Sequence, residues 1–137
     1  MMLPLIFPIL IWLSFRDMKS HRIPNFGLTL LFSVSLAFVL LRGHPWPQHC
    51  AATGILLIAS ALAYVFFGLG MGDIKFLIIL TLLVIPANPT SYYWFFGSFS
   101  LTTLFHVIVS TRCNLSRNIS IPLAPSLSMA TVFVLFL

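Results

Sequence analysis

Six apolar runs, at residues 1–15, 26–41, 51–67, 74–85, 92–109 and 122–137, take up most of this chain and confine its polar residues to the short gaps between them. A water-soluble globule needs a charged skin. With only seven Lys and Arg, two acidic side chains and a mean hydropathy of +1.09, this chain has nothing to build one from. Backbone polar groups in hydrocarbon must find partners within their own segment, so the pattern predicts an all-α polytopic membrane bundle of about six transmembrane helices. With no linker, repeat or low-complexity segment in view, residues 1–137 form a single predicted domain. Several runs fall short of the roughly 20 residues that cross a bilayer and must borrow flanking residues, kink or sit in a thinned membrane. The fourth run is stopped by Pro86 and Pro89 and can lengthen only backward, through residues 68–73.

The basic residues set an orientation. If successive gaps alternate sides, Arg16, Lys19, Arg22, Lys75, Arg112 and Arg117 share one side and Arg42 lies on the other. The positive-inside rule assigns the larger group to the cytoplasm, with both termini outward and Trp46 and the Tyr92, Tyr93, Trp94 run at the outer interface. The bilayer is thus the first expected partner. The net charge of +5 forms neither stripe nor tail, so no nucleic acid partner is expected. The N-terminal run has no basic residue before it and no small-residue cleavage site, which predicts a retained first span rather than a removed signal peptide.

Cys50 and Cys113 fall on opposite predicted sides, which argues against an intramolecular disulfide. His44, His49 and Cys50 cluster loosely, but without a fourth ligand or regular spacing they are expected to be polar residues of a short outer loop rather than a metal site. His106 falls inside the fifth run. It can be a proton relay, although a neutral imidazole hydrogen-bonded between helices is the simpler expectation.

The two acids, Asp17 and Asp73, are the only ones in the chain, and each borders an apolar run. Acids beside hydrocarbon are costly and mark function by default. Asp73 closes Gly70-Met71-Gly72-Asp73 and opens the fourth run. The glycines suggest close backbone approach or positive φ values, and the plain alternative for Asp73 is a helix N-cap. Asp17 ends the first run within Arg16-Asp17-Met18-Lys19, ahead of Ile23-Pro24-Asn25, where the proline stops the helix. A cap cannot explain an acid at a helix C-terminus; the plain alternative is surface charge balance with Arg16, Lys19 and Arg22.

Two carboxyls from different helices at one depth suit a dyad. One keeps a proton and polarises a peptide carbonyl, while the other stays charged and takes a proton from water. That chemistry hydrolyses a peptide with no metal or other cofactor. Which aspartate carries the proton is open at the level of sequence.

The ordered trio of Asp17 with Ile23-Pro24-Asn25, then Gly70-Met71-Gly72-Asp73-Ile74-Lys75, then Ile121-Pro122-Leu123-Ala124-Pro125 resembles the type IV prepilin peptidases, polytopic aspartic proteases with a G-x-G-D signature. The resemblance spans essentially the whole chain and implies that Asp17 and Asp73 are catalytic. It also implies a prepilin or pseudopilin partner whose short basic leader is cut at the cytoplasmic face of a bacterial or archaeal plasma membrane. The paired Cys-x-x-Cys insert of longer members is absent, so the chain resembles the short, peptidase-only forms serving tight-adherence pili or archaeal-type flagellins, and no methyltransferase activity is implied. Gly70 and Gly72 are expected to shape the cleft, Lys75 to tune the acids, meet a substrate acid or snorkel, and Asn25 to hydrogen-bond a loop or the substrate. Arg112 and Arg117 are expected to be topology signals. Two further readings compete: a small transporter with Asp17, Asp73 and His106 as a proton relay, and a non-catalytic assembly factor of a pilus or secretion machine.

Overall fold

A computed structural model describes residues 3–20, 22–42, 46–67, 70–86, 88–113 and 123–137. These are helical nearly throughout. The elements are α1 (Leu3–Ser20), α2 (Asn25–Arg42), α3 (Trp46–Phe67), α4 (Met71–Ile79) with a π-helical continuation (Leu80–Val84), α5 (Pro89–Cys113) and α6 (Ala124–Phe136). The predicted all-α class holds. Two of these helices, α3 over Trp46–Phe66 and α5 over Pro89–Val109, are long and apolar enough to cross a membrane, while the apolar parts of α2 and α6 are shorter.

The most enclosed element is α4 with its continuation, where Phe76, Leu80, Thr81 and Ile85 are fully buried. It packs against α2 and α3 and touches α6, which is itself held between α1 and α5. The outward faces stay apolar: Phe15, Phe26, Leu41, Val65, Phe66, Leu101 and Phe105 are all well exposed. Such a surface suits lipid contact and leaves the few polar groups to be matched inside.

One internal match explains the π-helix. The Ile85 N–H donates to the Leu80 carbonyl at 2.8 Å, one residue beyond the α-helical register, so Thr81 loses its α-type partner. Pro86 then has no N–H with which to continue the wider register. The stranded Thr81 carbonyl is taken up by the Tyr92 hydroxyl at 3.1 Å and by Nδ1 of His49 at 3.2 Å. His49 is therefore not a loop residue. Helix α3 begins at Trp46, earlier than the hydropathy run indicates, and carries His49 into the interior at 2% exposure. Cys50 is exposed and free, whereas His44 and the Cys113 side chain lie outside the described residues, as do the Arg112 side chain and Arg117. Among the described residues no group of three metal-ligating side chains comes together.

His106 also departs from expectation. It lines a groove of about 690 Å³ between α5 and α6 with Leu101, Phe105, Met129 and other largely apolar neighbours, and among the described residues it makes no hydrogen bond between helices.

Candidate active site

One end of the bundle gathers the end of α1, the turn into α2, the start of α4 and the start of α6. Asp17, three residues before the end of α1, is 4% exposed. Its flanking Arg16 and Lys19, and Arg22 beyond, are exposed, whereas Asp17 itself is withdrawn from the surface. Instead, its Oδ2 accepts a hydrogen bond of 3.1 Å from the backbone N–H of Ala124, the first residue of α6. That N–H has no partner inside its own helix, and the α6 dipole adds a positive end there. The α1 C-terminus opposes a carboxylate and the α6 N-terminus compensates. Leu123 is the α6 N-cap and Pro125 sits within the first turn, where its missing N–H costs nothing. Ile121 and Pro122 of the sequence motif lie outside the described residues.

The second acid enters from α4. The N-cap of that helix is Gly70, not Asp73, which lies in the first turn and is half-buried. Gly70 has an ordinary extended backbone, φ −64° and ψ 136°, so positive φ is not the reason for the glycine. Space is the reason. A Cβ on Gly70 would lie 2.7 Å from Oδ2 of Asp73, whose side chain folds back over the cap. The second glycine admits a different neighbour: a Cβ on Gly72 would meet Cβ of Ile23 at 3.2 Å. The G-x-G-D segment thus seats its own acid on the first glycine and the α1–α2 turn on the second.

The two acids feel each other. Desolvation first, and then the Asp17 charge, lift the Asp73 carboxyl from an ordinary value of 3.8 to about 6. Asp73 lies in the first turn of α4, immediately before the apolar run that starts at Ile74. Lys75 points elsewhere: its Nζ donates to Oδ1 of Asn25 at 3.4 Å on the exposed surface, joining the starts of α2 and α4. Two expected site residues thus bind one another, beside a shallow groove of about 420 Å³ lined by Leu28, Phe32 and Ile79. Ala124 as a partner of Asp17 was not legible in the residues, because a backbone N–H leaves no trace in residue identity.

An all-helical chain with apolar outer faces, two spanning-length helices and a lone pair of neighbouring acids defines a membrane-type protein with a compact acidic site. Within that class, a profile of the type IV leader peptidase family matches residues 5–109, and the chain belongs to that family. It is accordingly a peptidase, a hydrolase of the kind that processes prepilin-type leaders. No curated protein and no solved structure matches the chain. The family match takes in both aspartates and stops before α6.

Proposed function

We propose that the chain is a membrane aspartic endopeptidase that removes the short basic leader of type IV prepilins or related pseudopilins at the cytoplasmic membrane face, using Asp17 and Asp73 to activate water. The observation that carries this reading is the convergence of the only two acids in the sequence, near enough for the charge of one to act on the other. At such a pair a single retained proton is favoured, which supplies a donor and an acceptor together. Water attacks the scissile carbonyl carbon, the charged acid takes the water proton and the protonated acid donates to the carbonyl oxygen. Collapse of the tetrahedral species returns a proton to the leaving amine. The reaction uses no metal, so EDTA leaves the rate unchanged, and rescue of a chelated enzyme by zinc would point to another mechanism.

The orientation follows from the exposed Arg16, Lys19, Arg22 and Lys75 around the acidic end, which favour the cytoplasmic side. A reporter inserted at residues 112–117 reads cytoplasmic under this arrangement. A relay spanning the bilayer is less well supported, because the acids lie together at one end and His106 lines a largely apolar groove. The deciding experiment is co-expression with a prepilin. Asp17→Asn and Asp73→Asn each lower cleavage by at least about 10³-fold while the protein remains folded in the membrane; full cleavage by either variant removes the dyad.

A further inference from the structure

The two aspartates stand in unequal surroundings, and the difference assigns their roles. On Asp17, a buried backbone N–H donates directly to Oδ2. A donor aimed at a carboxyl oxygen favours the ionised form, and the aligned peptides of the 13-residue α6 behind it add to the effect. The contact is held by packing rather than by a free loop. The Ser14 and Ser128 hydroxyls share a hydrogen bond of 2.9 Å, about one turn from Asp17 on α1 and from Ala124 on α6, and Leu10, Leu13 and Leu127 are buried around it.

Asp73 has no equivalent support. Among the described residues no N–H or hydroxyl donates to its carboxyl, and no side-chain cap bond closes the start of α4. The α4 dipole favours a negative charge at its first turn, but burial and the neighbouring Asp17 charge both oppose it; burial also opposes the charge on Asp17, where the Ala124 N–H offsets that cost. Among the described residues, the other charged or titratable groups toward this end are Arg16, Lys19, Arg22 and Tyr64, all exposed, Lys75, which is exposed and bonded to Asn25, and the half-buried His106, whose groove also takes in Met18 and Pro125. Helix α6 brings no charged residue at all, and α2 has none before Arg42.

Building on the aspartic-peptidase reading, we infer that the shared proton resides on Asp73 and that the N-terminus of α6 holds Asp17 as the charged base. The half-buried Asp73 then offers its O–H to the scissile carbonyl oxygen, and Asp17 accepts the proton of the attacking water. As the carbon–nitrogen bond breaks, Asp17 passes that proton to the amine while Asp73 recovers one from the tetrahedral hydroxyl, which restores the starting state. Ala124 acts through Asp17 and is a positioning residue.

The composition makes a direct test practical, since aspartate labelled with ¹³C at the side-chain carboxyl gives two assignable acid resonances in the full-length protein in nanodiscs. Each is assigned by its disappearance in Asp17→Asn or Asp73→Asn. In the wild-type protein the Asp73 resonance titrates with a midpoint of about 6, and the Asp17 resonance keeps a carboxylate shift over roughly pH 5 to 8. The reverse pattern, or equal movement of both, overturns the assignment. Replacing the Ala124 amide by an ester removes the N–H without changing the side chain. It shifts the Asp17 resonance into the titrating window, and an unchanged titration overturns the role of α6. These readings do not depend on cleavage, so an inactive protein with the expected titration would sink the peptidase reading alone.

Discussion

The backbone N–H of Ala124 donates to the Asp17 carboxylate at 3.1 Å, across 107 positions of the chain. It ties the last helix to the first acid. The contact also lies beyond the family match, in the Leu123-Ala124-Pro125 part of the third motif that the sequence resemblance takes in. Several consequences can be measured.

Gly70 leaves room for its own acid, so Gly70→Ala acts on the chemistry before it acts on the fold. The new methyl would lie 2.7 Å from Oδ2 of Asp73 and must push that carboxyl aside. Misplacement of about 1 Å at a reacting group lowers kcat by roughly 10², and the ordinary φ of Gly70 means that alanine adds no backbone strain. Kinetics and thermal unfolding on the same preparation separate the two effects. A variant that unfolds early at unchanged kcat would contradict the seating of Asp73 on Gly70. Gly72→Ala meets Ile23 at 3.2 Å and is the milder change.

The pH dependence of cleavage follows from the raised Asp73 group. Below about 6 its proton is held and can be donated; as pH rises through that value the proton is lost and kcat/KM falls. Bound substrate excludes water and moves the descending limb of kcat to higher pH than that of kcat/KM. A kcat/KM flat from roughly pH 5 to 8 would show that no such group governs the reaction.

Stability carries a mark of the same group. The unfolded chain ionises Asp73 near 3.8 and the folded chain near 6, so between these values the folded state binds more protons and stability falls as pH rises. Asp73→Asn removes the ionisation. Relative to wild type it therefore gains thermal stability from about pH 4 to 6 and keeps that gain at neutral pH. Unfolding scans in mild detergent across this range check the sign, and a gain confined to acid would refute it.

The hydroxyl pair between α1 and α6 is predicted to couple weakly. Polar contacts between helices in membranes contribute about 0.6 kcal/mol on average, so a double-mutant cycle on Ser14→Ala and Ser128→Ala returns a coupling of about 0.5–1 kcal/mol. The Asp17 titration shifts with it if α6 is loosened. Strict additivity would mean that the 2.9 Å contact does not brace the site.

Much of this was legible in the residues. The apolar runs carry the helical class, and the scarcity of acids singles out Asp17 and Asp73. Composition could do this because hydropathy and charge act on each segment alone. Where segments meet, it could not. His49 looked like a loop residue because Pro45 and Pro47 hid the early start of α3, and its burial depends on a carbonyl stranded five residues before Pro86. Lys75 and Asn25 each looked like a site residue and turned out to bond each other.

What the sequence determined by itself was a helical chain for an apolar solvent with two expensive acids, because transfer free energies belong to individual side chains. What only the tertiary structure decided was how those acids differ: one receives a main-chain donor from a helix that begins 107 residues later, and the other folds over a glycine with no donor among the described residues. The main-chain N–H is common to nearly every residue, so where it points is settled only by how the helices pack.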